Sequence, residues 1–288
     1  PPKYPGQIYV TYVTSLRPLS KLRARLPSVK PKSEELLNML LFTADMMLQP
    51  TFRNLNQSYE GWLYREGLMR RVKRLEKAEL IERDSLSEDD RIFRLTAAGR
   101  IRVLGGRDPE ERWNRKWDGS WRMILFDIPN TQNSERVKLW RYLRNHHFGC
   151  LQNSVWTTPD PLQQEEEILA DGKVNAGSLL LLDARPCAGE SDGEIVDTAW
   201  DFDRINERYR KLESILKQRP KGGITSEASS DQMREWARDE HHAWLDAVQG
   251  DPLLPKTLHP KGYLGPKTWQ KRKTEFAAAG SQIQKFTI

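Results

Sequence analysis

Lysines and arginines at one helical spacing are the residues best placed to do chemistry in this chain. Between Glu66 and Leu80, Arg70, Lys73, Arg74 and Lys77 fall at i, i+3, i+4 and i+7, so a helix puts all four on one face. Leu68, Val72 and Leu75 fall on the opposite face, and Arg71 flanks them. Four like charges so close repel one another unless an anion lies against them. Such a helix fits the major groove of duplex DNA, its cations neutralising phosphates. Arg91 and Arg94 follow on a strand-like run, which completes the DNA-binding set Arg70, Arg71, Lys73, Arg74, Lys77, Arg91 and Arg94. Other chemistries are poorly served. The adjacent pairs His146-His147 and His241-His242 would diverge by about 100° on a helix, which does not suit chelation of one metal. Both pairs read as surface or interface residues. Ser154 lacks a nucleophile elbow, and no Gly-rich phosphate loop or dinucleotide fingerprint occurs. Cys150 reads as a small core residue. No cofactor, metal site or enzymatic activity is expected.

The elements around the basic stripe must position it. Ser33 can cap a helix whose first turn holds Glu34 and Glu35, and which runs as an apolar core helix to Leu48 before Pro50 stops it. A short helix around Ser58–Leu63 comes next, then the basic helix. Ile81-Glu82-Arg83 and Arg91-Ile92-Phe93-Arg94-Leu95 flank the acidic, polar Asp84–Asp90 and read as a hairpin. Thr96 caps a helix over Ala97–Leu104. Helix, helix, basic helix, hairpin is the order of a winged helix-turn-helix, in which the third helix reads the major groove.

Charge is unevenly spread along the 288 residues. The chain has 46 basic and 40 acidic side chains, net +6, and a pI near 9.2. Residues 1–33 carry +7, 34–116 carry +1, 117–200 carry −6 and 201–288 carry +4. Long-range attraction for phosphate therefore comes from the front of the chain. The start, Pro1-Pro2-Lys3-Tyr4, has no apolar signal core, no apolar run approaches a membrane span, and the two cysteines, Cys150 and Cys187, make no disulfide framework. A cytoplasmic protein without membrane association is expected.

Behind the front third, Trp121–Ile128 reads as a strand stopped by Pro129. Ser134 caps a helix with Val137, Trp140 and Leu143 inward and Arg136, Arg141 and Arg144 outward. Leu151-Gln152 and Ser154–Thr158 read as short strands and Pro161–Ala170 as a helix. Leu179–Leu182, apolar throughout, reads as a strand buried on both faces. That β-α-β-β-α-β succession is ferredoxin-like. In the last third, Trp200, Phe202, Ile205, Tyr209, Leu212 and Leu216 trace one amphipathic helix. Met233, Trp236, Ala237, Trp244 and Val248 trace a second, joined to the first by a flexible 218–230. Residues 251–266, with four prolines, read as an extended loop, and Lys267, Lys271, Arg272 and Lys273 as a solvated basic cluster.

The central segment resembles a known family. Asp118-Gly119-Ser120-Trp121-Arg122 leading into Leu125-Phe126-Asp127-Ile128-Pro129, and Phe148-Gly149-Cys150-Leu151-Gln152-Asn153-Ser154-Val155-Trp156, resemble the central domain of the PaaX family, repressors of bacterial phenylacetic-acid catabolism. Asp251-Pro252-Leu253-Leu254-Pro255, with Gly262 and Gly265-Pro266, resembles that family's C-terminal region. The resemblance covers about residues 33–270 and leaves out the basic arm before them. It implies a dimeric DNA-binding repressor, released from its operator by an acyl-CoA effector, phenylacetyl-CoA in the best-known branch. The same block resembles the small ferredoxin-like subunit of CRISPR adaptation complexes, some of which are metal-dependent nucleases. There Asp127 matches a proposed metal ligand, while the plainer reading has Asp127 cap the turn before Ser134.

The expected fold is therefore α+β: a basic arm (1–32), a winged helix (33–116), a ferredoxin-like domain (117–200) and a C-terminal helical region (201–288) for effector binding or dimerisation. The expected function is that of a homodimeric transcriptional repressor binding double-stranded DNA and an acyl-CoA-like effector. The alternatives are a nuclease centred on Asp127 and a CRISPR-type adaptor.

Overall fold

The structure, a computed structural model, describes residues 68–83, 93–129, 131, 133–162, 179–187, 189–222 and 227–285. Its elements run α1 (Leu68–Lys77), β1 (Ile81–Arg83), β2 (Phe93–Leu95), α2 (Ala97–Val103), α3 (Pro109–Asn114), β3 (Trp121–Phe126), α4 (Asn133–Asn145), β4 (Gly149–Gln152), β5 (Val155–Thr158), β6 (Leu179–Ala184), α5 (Asp192–Ala199), α6 (Phe202–Lys217), α7 (Glu227–Gly250) and α8 (Gly265–Lys285). The expected helices over 33–48 and 58–63, the hairpin tip and residues 163–170 lie outside the described residues. Described residues 111–202 and 251–261 form one compact unit; 68–110, 203–250 and 262–285 form another. No helix among the described residues is long and apolar enough to cross a membrane.

The first unit is built on an antiparallel sheet in the order β4-β5-β3-β6. The order matches a β-α-β-β-α-β layer in its five described members. Period-2 alternation sends Ile124 and Phe126 of β3, Trp156 of β5 and Leu179 of β6 to one face, where they pack on Leu139, Tyr142 and Leu143 of α4. Val137 does not point inward as expected; it is 40% exposed. The buried stripe runs 139, 142, 143, because the amphipathic Tyr142 takes a core place that apolarity alone assigns to Val137. Nor is β6 buried on both faces. It pairs only with β3 among the described residues and leaves Leu180 48% exposed, since helices need cover only one face of an antiparallel sheet.

α5 covers one corner of the other sheet face. Ser191 and Glu194 close a capping box at its start: the Ser191 hydroxyl accepts from Glu194 N, and the Glu194 carboxylate accepts from Ser191 N at 2.7 Å. Gly149 of β4 sits so close that a Cβ would come within 2.6 Å of Ala199 and 2.7 Å of the Trp200 ring. Trp121 lies between the tilted rings of Trp117 and Trp200, and its Nε1 donates to Asp192 at 2.8 Å. The segment Asp251–Pro255 is buried throughout. Asp251 Oδ1 accepts from Leu253 N at 2.7 Å, and the guanidinium of Arg115 joins the Leu253 carbonyl to Asp160.

The second unit centres on α6, α7 and α8. Ile205, Tyr209, Leu212 and Leu216 of α6, Met233, Trp236, Trp244 and Val248 of α7 and Trp269 and Phe276 of α8 are all buried, with the Trp236 ring against Phe276 and Trp244 against Trp269. The expected 218–230 connection is shorter, because α7 begins at Glu227. The third long helix, α8, replaces the expected solvated cluster. Arg272 is 1% exposed there, donating Nε and Nη2 to Glu240 of α7 at 2.6 and 3.2 Å beneath the rings of Trp244, Phe276 and Trp269. Burial pushes the Glu240 carboxyl up, and the two bonds from Arg272 oppose that rise. Lys271 pairs with Glu213 of α6, and Lys273 with Glu110. Beside Glu240, His241 is 6% exposed, a core residue rather than the expected surface or interface one. Adjacent helical positions point about 100° apart, so His242 is exposed while His241 is not.

Candidate nucleic-acid interface

α1 separates charge from core as its spacing predicts. Val72 and Leu75 are each 2% exposed, while Lys73, Arg74 and Lys77 stand in solvent. None of the three pairs with a carboxylate among the described residues. The backbone of Arg70 and Arg71 belongs to α1 and that of Arg94 to β2; their side chains, and Arg91 altogether, lie outside the described part.

The exit of α1 is tightly held. Ala78 N donates to Arg74 O at 2.9 Å and Leu80 N to Leu75 O at 3.0 Å, so the last carbonyls of the helix are satisfied. The chain turns through Glu79, whose φ of 57° is a left-handed value more usual for glycine. Leu80, fully buried, then leads into β1. The β1–β2 ladder sets Ile81 opposite Leu95, Glu82 opposite Arg94 and Arg83 opposite Phe93.

Thr96 ties both ends of this hairpin to the helix. Its backbone N donates to Leu80 O at 3.1 Å, and its hydroxyl donates to Glu79 O at 2.6 Å. The same hydroxyl accepts from Gly99 N at 3.0 Å and so caps α2. Gly99 lets α2 lie directly on Leu80: a Cβ there would be 1.9 Å from the Leu80 carbonyl oxygen. At its far end α2 meets α7. A Cβ on Gly105 would be 2.9 Å from Val248, and Arg107 Nη2 donates to Val248 O at 2.6 Å. A small rigid block thus presents three described cations to solvent. Sequence reasoning found Thr96 as a cap but missed Gly99, although a glycine at the third position of a Thr-capped helix is the signal of a close approach.

The other candidate sites fare differently. Asp127 is exposed just past β3, and among the described residues no group of three or more His, Cys, Asp or Glu side chains gathers to hold a metal. His146 stacks on Tyr142 at 4.1 Å, and the His147 carbonyl accepts from Trp200 Nε1 at 3.2 Å. Cys150 is half-buried rather than core, and burial pushes its thiol up. A groove of about 680 Å³ lies between α6 and α7, with Ile215, Trp236 and Ala243 in its wall. Glu235, Asp239 and Asp246 line it against the one lysine, Lys211, so the phosphates of a CoA would meet repulsion there.

Comparison with known proteins bears on the sheet. The family model of the PaaX protein central Cas2-like domain matches residues 114–196. Among solved structures, the uncharacterized protein Rv0674 from Mycobacterium tuberculosis is similar over 90% of this chain and 99% of its own, with 19% identity and a TM-score of 0.53. At that identity the likeness speaks for the fold alone. No curated protein matches the chain. Residues 114–196 are thus similar to the PaaX central domain.

Proposed function

We propose that this chain, with its PaaX-type central domain, is a DNA-binding transcriptional regulator that inserts α1 into the major groove of its operator. The supporting observation is the sided helix: Lys73, Arg74 and Lys77 in solvent opposite buried Val72 and Leu75. Arg70 belongs to the same stripe by spacing, Arg71 flanks it, and Arg91 and Arg94 serve the adjoining phosphates from the hairpin. The block from α1 to α2 acts as a winged helix, followed by the ferredoxin-like domain and the helical region. The regulator works as a homodimer, because one recognition helix reads few base pairs and a two-fold operator supplies a second half-site. The PaaX relationship favours a repressor released by an acyl-CoA effector. That effector must bind the non-binding arrangement of the two α1 helices better than the DNA-competent one. The carboxylates of the α6–α7 groove place its seat elsewhere in this reading.

The test is the salt dependence of duplex binding. If Arg70, Lys73, Arg74 and Lys77 each neutralise one phosphate in both subunits, the slope of log affinity against log salt is about −7. Substituting Lys73, Arg74 and Lys77 together by Ala removes six of those contacts and flattens the slope by about 5. An unchanged slope and affinity would remove α1 from the interface.

A further inference from the structure

Within the second unit, α2 is a strut between the basic helix and the helical core. At its start, Thr96 and Gly99 tie it to Glu79 and Leu80, so a tilt of α2 is a tilt of α1. Its exit is equally defined. Gly105 N donates to Arg102 O at 3.2 Å and Gly106 N to Ile101 O at 2.8 Å, with Gly105 at a φ of 86°. That is a Schellman exit, which sends the chain off in one direction. Gly105 rests there on α7, where a Cβ would be 2.9 Å from Val248 and 3.2 Å from Leu245. α7 is in turn fixed to α8 by Arg272–Glu240 and by the ring pairs Trp236–Phe276 and Trp244–Trp269.

We propose that Arg107 is a positioning residue for α1, locking α2 to the last turn of α7. This role rests on α1 being the DNA-binding helix. Val248 O is one of the last four carbonyls of α7, which a helix leaves without an internal partner. The Arg107 guanidinium donates to it at 2.6 Å, a charge-assisted bond at the negative end of the helix dipole. Apolar contact does not set an angle. The Gly105 seat on Val248 and Leu245 can slide, whereas a hydrogen bond is directional. The other tie across this joint is Lys273–Glu110, continued through Asp108 to Arg100. Lys273 and Glu110 are each 38% exposed, and such a surface pair is weak. The demand on the joint is strict. α1 has 10 residues and is about 15 Å long, so a tilt of about 10° swings its far end by roughly 2.6 Å. Hydrogen bonds to base edges tolerate only about 0.5 Å. Long Lys and Arg side chains follow phosphates through such a swing. Arg107 therefore serves the choice of sequence more than the attraction to DNA.

Two measurements on the full chain test this. The first needs no DNA. Spin labels at Lys73→Cys and Asp239→Cys, both exposed, with Cys150 and Cys187 replaced by Ser, report the distance between α1 and α7. Arg107→Met broadens that distribution by roughly 2–3 Å, and Arg107→Lys, which keeps a charged donor, restores most of its narrowness. The second uses the unlabelled chain and a duplex that the wild type selects from a random-sequence pool. Arg107→Met binds it about 10- to 100-fold more weakly, while its affinity for an unrelated duplex and its salt slope match the wild type. Arg208→Met is the control. It removes the other guanidinium at this end of α7, which donates to Asp246 O at 3.0 Å but belongs to α6. It leaves distance and selectivity unchanged. An Arg107→Met distribution as narrow as the wild type's overturns the proposal, and so does retained selectivity. Equal losses in Arg208→Met overturn it too, as does a lowered Tm with both duplexes weakened alike, since Arg107 would then serve stability alone. A wild type that selects no duplex refutes the operator reading of α1 instead, and the distance measurement still decides whether Arg107 sets its position.

Discussion

Replacing Gly99 by Ala sets two known effects against each other. Helix propensity favours Ala over Gly inside a helix by about 1 kcal/mol. Packing opposes it. The new methyl would sit 1.9 Å from the Leu80 carbonyl oxygen, 2.9 Å from its carbon and 3.1 Å from a Leu95 methyl. The carbonyl must retreat by roughly 1 Å before the contact is tolerable, and an overpacked site of this kind costs about 1–3 kcal/mol. It has no free direction to move in. Leu80 is fully buried, its N–H is held by Leu75 O at 3.0 Å, and its carbonyl accepts from Thr96 N at 3.1 Å. The retreat also strains the Thr96 hydroxyl bond to Glu79 O, and each hydrogen bond lost costs about 1 kcal/mol. The balance is a net loss of about 1–3 kcal/mol. Urea unfolding reads it as a midpoint lowered by roughly 1 M at an ordinary slope. Duplex affinity falls as well, because the exit of α1 is displaced. A Gly99→Ala protein as stable as the wild type, or more so, refutes the reasoning: propensity would have won, and α2 would not be clamped on Leu80.

Two further outcomes concern the helical core behind that block. Arg272→Met strands the buried Glu240 carboxylate and costs about 3–5 kcal/mol, whereas Arg272→Met with Glu240→Leu recovers most of the loss; a denaturation cycle that finds the two single changes additive rejects the pairing. Burial, with the charges of Arg272, His242 and Arg102, lowers His241 from 6.5 to about 3. Because the folded value lies below the unfolded one, the unfolded chain takes up the proton first. His241 therefore leaves stability undiminished above pH 6.5 and erodes it as pH falls towards 3, by up to about 1.4 kcal/mol per pH unit. His241→Phe should shrink the drop in Tm between pH 7 and pH 4; an equal drop in both proteins rules His241 out.

The basic helix was legible because every feature that defines it is local. Cations at 73, 74 and 77 and apolar residues at 72 and 75 need only the 3.6-residue repeat to be sorted into faces. The strand run at 121–126, the Thr96 cap and the seam 205–209–212–216 were readable for the same reason. The capping box Ser191–Glu194 was equally local and was overlooked.

What the sequence determined by itself, then, is periodicity: which residues of an element share a face, and where the element starts and stops. It could not say which face is covered, by what, or which charges find partners, since these depend on residues far apart in the chain. Arg272 interrupts the apolar spacing of α8 and reads as surface until Glu240, 32 residues away, supplies the carboxylate that makes its burial tolerable. Leu180 reads as core until the fold leaves its face of β6 in solvent, where it is 48% exposed. Gly99 is an ordinary helical glycine until the hairpin folds back and brings the Leu80 carbonyl against it. In each case the deciding energy, whether charge pairing, burial or steric contact, exists only once distant segments meet, and only the tertiary structure could decide it.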